Sequence, residues 1–248
     1  MTVKIRITEP AVRQRVKEFL NMKFEHLFGI PSKDVRPLCI LMPFLAKPIN
    51  QELGITEFHK GKPYASACHE KLTLIETRIG PLFTGDAILA LKDSPCKTIL
   101  FIGSCGTLDP SRFPIGSLVL PKAAYAMESF SEMVFNRAVL THNIPVPSSP
   151  LAGLLSRHAV SVQCASTGSI QLEGQFRSLF IKHHIDVIDM ECASVFSAAT
   201  VSKLSAASLL YVADVVGETS PYDTPDSAAA RAQIQIAKII KEIVNVFA

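Results

Sequence analysis

The sequence predicts an α/β fold, with a central sheet covered by helices on both faces in three αβα layers. Two observations carry this. Short β-branched and aromatic runs, such as "KTILFIG" (97–103) and "AASLLYVAD" (206–214), alternate with stretches whose apolar residues recur at helical spacing. The chain also has 248 residues, 48% hydrophobic and 19% charged, which is enough apolar material to bury such a sheet and unlike a disordered composition.

The elements follow in order. "RQRVKEFLNMKFEHLFG" (13–29) sets Val16, Phe19, Leu20, Phe24 and Leu27 between charges, as an amphipathic helix does. Residues 1–35 are therefore expected to form an N-terminal helical extension, and 36–248 a single α/β domain. "PLCILMPFL" (37–45) is the first buried strand and "KLTLIETRIG" (71–80) a later one ending near Gly80. "GDAILALKDSP" (85–95) is a helix leading into "KTILFIG", and "GSLVLPKAAY" (116–125) is a strand. The Pro- and Ser-rich "NIPVPSSP" (143–150) is a loop, and "LAGLLSRHAV" (151–160) a helix. "DVIDMECASVFSAATVSKL" (186–204) starts as a strand and turns helical, with Ala193, Ser194, Ser197 and Ala198 small enough for close packing. "AASLLYVAD" is the last core strand. Thr224, Pro225 and Asp226 suit a helix start, after which Ile236, Ile239, Ile240, Ile243, Val244 and Phe247 give a buried face.

Composition narrows the function. A net charge of +3 with no long basic block argues against nucleic acid, and no apolar segment is long enough to span a bilayer. None of the six cysteines forms a C-x-x-C pair, and most sit in apolar runs as free thiols suited to a reducing compartment. The charged "MTVKIRITEP" start lacks a secretory apolar stretch, so a cytoplasmic location is expected. At Gly103-Ser104-Cys105-Gly106 a buried strand ends in two glycines, which let another molecule approach the backbone. Taken alone, this segment is explained better by a strand-to-helix turn than by the mouth of a site.

Three further stretches change that balance. "IGSCGTLDPSRFPIGSLVL" (102–120), then "DMECASVF" (189–196) and "YVAD" (211–214), resemble the nucleoside phosphorylase superfamily. That family includes purine nucleoside phosphorylases, uridine phosphorylase and methylthioadenosine nucleosidases. "EHLFGIPSKDVRPLCILMP" (25–43) and "TPDSAAARAQIQIAKII" (224–240) resemble uridine phosphorylase segments, so the likeness runs from about His26 to the end. It implies a three-layer αβα, phosphorylase/hydrolase-like fold with a central mixed sheet. It also implies a nucleoside substrate, no metal or organic cofactor, and a homo-oligomer such as a dimer or hexamer.

The resemblance assigns roles residue by residue. Glu191 grips the ribose, since an ionised carboxylate accepts from two neighbouring hydroxyls at once, and Met190 packs against the sugar. Its structural alternative is an acid in the first turn of a helix. Asp214 stands where purine-cleaving members place the acid that assists base departure, a role that needs burial to hold its proton. His26 matches a histidine that reaches a partner subunit's ribose, or else is a surface histidine. Gly174-Gln175-Phe176-Arg177 resembles the uracil-binding G-Q-x-R once a residue is inserted after Ser166, so Gln175, Arg177 and Ser166 are base-binding candidates. Asp214 favours a purine, whereas Ile170 stands where purine binders usually carry an aromatic.

The acceptor side departs from the family. Its phosphate loop has glycine and arginine where this chain has Phe44 and Pro48, and its second arginine falls at Phe101. Gly103, Ser104 and Arg78 remain as the acceptor pocket, with Lys47 as a further cation. Losing two charge-assisted partners weakens a phosphate site and favours water. Water in turn needs an activating carboxylate, for which Glu52 and Glu76 are nearest. The expectation is cleavage of a nucleoside's N-glycosidic bond, by hydrolysis in preference to phosphorolysis. The alternatives are a homologue that binds a nucleoside or base without turnover, and an unrelated α/β binding protein.

Overall fold

Apolar β-branched runs become strands because such side chains pack well on a pleated surface. In the computed structural model, which describes residues 22–44, 47–220 and 227–246, such runs and a few shorter, more polar segments make ten strands in one mixed sheet. They are β1 (Leu38–Met42), β2 (His59–Lys60), β3 (Ala65–Cys68), β4 (Leu72–Glu76), β5 (Thr98–Thr107), β6 (Leu118–Met127), β7 (Thr141–Pro145), β8 (Val160–Thr167), β9 (Val187–Asp189) and β10 (Ser205–Val215). The order is β2-β3-β4-β1-β5-β9-β8-β6-β10, and β10 also pairs with β5. Five strands thus close into a ring, with β1 to β4 as an open wing. The helices are α1 (22–28), α2 (Lys47–Glu52), α3 (Pro81–Leu91), α4 (Phe130–Val134), α5 (Ala152–Leu155), α6 (Arg177–Lys182), α7 (Cys192–Ser202) and α8 (Ser227–Val246).

Period-two alternation in β5 splits the core between two faces. Ile99 and Phe101 join Leu41, Ile75, Val195 and Phe196 on the α3/α7 side. Leu100 and Ile102 join Ile40, Leu74, Ile236, Ile240 and Ile243 on the α2/α8 side. The predicted α8 face is buried through Val244, while Thr224, Pro225, Asp226 and Phe247 lie outside the described residues, as do Val16, Phe19 and Leu20. The small residues of α7 do what their size suggests: a Cβ on Gly85 of α3 would stand 3.6 Å from Ser194 Cβ.

Phe24 and Phe28 of α1 pack into the same cluster as Phe101, and Phe28 stacks on Tyr64 at 4.9 Å. The β2–β3 turn presses on the end of this helix, where a Cβ on Gly61 would strike the Leu27 carbonyl. Gly61→Ala is therefore expected to destabilise the protein by about 1–3 kcal/mol, read from urea unfolding midpoints.

Two segments differ from expectation. The start of "NIPVPSSP" is not loop: β7 pairs with β6, with Pro145 opposite Ala123. Proline is tolerated there because β7 is an edge strand whose outer side needs no ladder donor. "LAGLLSRHAV" is helical only over Ala152–Leu155, and its last residue, Val160, already begins β8. No helix among the described residues is long and apolar enough to cross a membrane.

Candidate active site

The C-terminal ends of the parallel strands β5 and β10 meet, and the short antiparallel strand β9 runs alongside the end of β5. Gly106 of β5 stands in register with Ile188 of β9 on one side and Asp214 of β10 on the other. A bulge between Val212 and Asp214 brings Asp214 into this register. The absent side chain of Gly106 admits the carboxylate, since a Cβ there would lie 3.0 Å from Asp214 Oδ2 and 2.8 Å from Val216 Cγ2. Asp214 is 4% exposed.

Beyond Ile188 the chain passes through Asp189 and Met190 to Glu191, the residue before α7. Glu191 is 4% exposed, and its Oε1 accepts the Gly80 N–H at 2.7 Å. Burial, then the charge of Asp189, pushes its carboxyl up to about 8 against hydrogen bonds from Gly80 and Met190. Asp189 is held by the Ser166 hydroxyl (2.5 Å), the Cys192 N–H (2.7 Å) and the Cys164 thiol (3.4 Å), and burial raises its pKa despite them. The ligand atoms of Cys164, Asp189 and Cys192 lie within 4.8 Å of one another. Both Asp189 oxygens are already engaged, and burial drives the two thiols up, so the trio is a hydrogen-bonded piece of core.

Two carboxyl groups that the sequence did not single out join this cluster. Glu173, 8% exposed, lies in a 3-10 turn (Glu173–Phe176) before α6, and burial followed by the charge of Asp214 pushes it up to about 8. Glu128, just after β6, is raised by burial and by Asp189, and its Oε1 is buried without a hydrogen-bond partner.

The other candidates are placed as follows. Ser166 is buried, its hydroxyl shared between Asp189 and the Ala193 N–H. The Arg177 guanidinium donates to the carbonyls of Val216 and Leu108, at 3.1 and 2.8 Å, and Gln175 is exposed. Met190 and Ser104 are half-buried, and His26 is exposed on α1. At Gly103 the open space belongs to the protein: a Cβ would lie 2.9 Å from Phe101 Cε1 and 3.3 Å from Leu210 Cδ2. Arg78 is exposed and donates to the Pro63 carbonyl at 3.1 Å. Glu52 pairs with Lys241 at 2.8 Å, Lys47 is exposed at the start of α2, and Glu76 is half-buried at the end of β4. Surface hollows of about 370 Å³, beside Arg112 and His184, and about 460 Å³, beside Arg36 and Lys97, are lined by none of Glu128, Glu173, Asp189, Glu191 and Asp214.

The phosphorylase superfamily model matches residues 40–245. The chain belongs to the phosphorylase superfamily. No curated protein matches it. Among solved structures it is similar to the AMP nucleosidase of Bacteroides thetaiotaomicron, at 18% identity over 92% of this chain and 98% of that one, with a TM-score of 0.68. It is also similar to the 5'-methylthioadenosine/S-adenosyl homocysteine nucleosidase of Helicobacter pylori, at 17% identity over 85% and 98%, TM-score 0.68. The purine nucleoside phosphorylase of Toxoplasma gondii gives 20% identity over 88% and 94%, TM-score 0.69. Superfamily membership accords with the mixed three-layer αβα architecture.

Proposed function

We propose that the chain cleaves the N-glycosidic bond of a purine nucleoside and passes the ribosyl group to water. Glu191 grips the 2′- and 3′-hydroxyls, with Met190 against the sugar, and Asp214 protonates the departing base. The observation that supports the choice of water is the acceptor corner, where the Phe101 ring lies against Gly103 and Arg78 is exposed with its Nε–H on the Pro63 carbonyl. A phosphate would meet an aromatic edge there in place of the charge-assisted donors it needs. Of the two carboxylates proposed for activating water, Glu52 is held by Lys241, which leaves Glu76, in register with Met42 at the end of β1.

The purine reading rests on Asp214 beside Gly106. Arg177, which would serve a uracil edge, spends donors on two main-chain carbonyls. The similar nucleosidases and the purine phosphorylase bear on the reading through their fold. A homo-oligomer, dimer or hexamer, in which His26 reaches the partner's ribose, is part of the proposal and is tested by light scattering on the eluting protein. A cytoplasmic site of action is proposed from the free, mostly buried thiols. A second reading, binding without turnover, draws on the Glu191 oxygen already taken by Gly80.

The experiment is a purine and pyrimidine nucleoside panel, with and without phosphate, following free base. Release without phosphate is the expected result. Release only with phosphate overturns the choice of water, and binding without release favours the second reading.

A further inference from the structure

The 3-10 turn before α6 is fastened over the end of β10 at two points. Gly174 and Gly217 meet backbone to backbone, so that a Cβ on Gly174 would stand 3.1 Å from the Gly217 Cα. Three residues later, Arg177 ties the start of α6 to the carbonyls of Val216 and Leu108, one just past β10 and one just past β5. A side chain at Gly174 would push the Gly217 backbone back by a few tenths of an ångström, and Gly217 itself has φ +77°, where side chains are strained. Glu173, immediately before Gly174, is therefore held in the interior beside Asp214.

A glutamate so placed needs an explanation, because burying a second acid beside an aspartate is costly unless a proton is held between them. The charged and titratable groups around Glu173 include Asp214 on β10, the Cys105 thiol on β5, Asp189 at the end of β9 acting on that same thiol, and the Arg177 guanidinium, which is occupied by carbonyls. Burial raises Glu173 most, and the Asp214 carboxylate adds to it.

We propose that Glu173 is a positioning residue that acts through Asp214, storing the proton that Asp214 delivers to the leaving base. The inference rests on the proposed nucleoside cleavage. In the step, the C1′–N bond breaks with its electron pair going to the base, and a base nitrogen takes the proton from Asp214. Water adds its oxygen to C1′. Asp214 recovers a proton from Glu173, and the proton released by the attacking water restores Glu173 through solvent, so that nucleoside and water give ribose and free base.

The test compares two leaving groups in the full-length protein. A purine base must be protonated to leave, whereas 4-nitrophenolate leaves as a stable anion. For Glu173→Gln the ratio of kcat on a purine nucleoside to kcat on 4-nitrophenyl riboside is expected to fall by about a hundredfold or more, the range of general-acid effects. The alkaline limb of the purine profile should move to lower pH, and Glu173→Asp, which keeps a carboxyl, should restore part of the ratio. An equal decline on both substrates, or an unchanged ratio, overturns the proposal. If Glu173→Gln fails to fold, the infrared carboxyl band of Glu173→Asp is titrated against that of the unaltered protein. A protonated-acid band at neutral pH that differs between the two proteins is that of residue 173 and supports the proposal, whereas neutral-pH bands common to both, as Glu191 alone would give, overturn it. Unaltered protein that turns over neither substrate would instead defeat the proposed activity.

Discussion

Glu191→Gln is expected to lower kcat/KM for nucleoside cleavage by about a hundredfold to ten-thousandfold. An ionised carboxylate can accept from both ribose hydroxyls, and hydrogen bonds to a charged group are worth about 1.5–3 kcal/mol each. An amide keeps one acceptor and turns the other position into a donor facing a hydroxyl. The fold should survive, because the amide oxygen can still take the Gly80 N–H that Glu191 accepts at 2.7 Å. Steady-state kinetics with a thermal melt of the same sample separates the two effects. Unchanged kinetics would remove Glu191 from the sugar site.

The proton on Glu191 adds a pH dependence. Burial and Asp189 hold the carboxyl in its acid form up to about pH 8, but gripping two hydroxyls requires the anion. If Glu191 grips the ribose as proposed, nucleoside binding is expected to expel a proton, with affinity rising with pH until about 8. The proposed Glu173–Asp214 pair would have the opposite need, since it would work only while holding its proton, and Glu173 is pushed up to about 8. Requirements of opposite sign at neighbouring values give a bell-shaped kcat/KM profile whose limbs belong to the coupled set of acids.

Legibility of these features in the sequence follows their range. β5, β10 and α7 were readable because their evidence is local: a β-branched run, or a row of small residues. The roles of Asp214 and Glu191 were readable only through resemblance, the one local sign being that each stands at or just after the end of an apolar strand, where a capping acid also occurs. Glu173 was not readable at all. It sits in "QLEGQFR", a polar turn, and becomes an interior acid only because Gly174 meets Gly217, more than forty residues away. The Glu-Gly pair was the one local sign, glycine marking a close backbone approach. Phe101 shows the reverse case. Its departure from the family pattern was plain, but the ring's position against Gly103 depends on the alternation that turns both residues to the same face of β5. β7 was obscured by Pro145, whose exclusion from strands holds for central strands and not for edges.

Thermal melts at about pH 5 and about pH 9 should give the higher Tm at the acidic end. In the unfolded chain Glu173 and Glu191 lose their protons near 4.3, whereas in the folded protein each keeps its proton to about 8. Between those values the folded state binds more protons, so unfolding becomes easier as pH rises. The stabilisation is fully present below the unfolded value and is gone once pH passes the folded one. A pKa unit corresponds to about 1.36 kcal/mol. Part of each shift comes from a neighbouring carboxylate, Asp214 for Glu173 and Asp189 for Glu191, so the combined effect falls well short of the sum, at about 2–5 kcal/mol or about 5–15 °C in Tm. Asp109 works in the other direction, its carboxyl lowered by the Ser111 hydroxyl, but it is fully exposed and its range ends below about pH 5. The doubly substituted Glu173→Gln, Glu191→Gln protein removes both titrations and should flatten the curve. A Tm that rises with pH in the unaltered protein would mean that these carboxyls are ionised in the fold, and that the interior at the ends of β5, β9 and β10 is wetter than its burial implies.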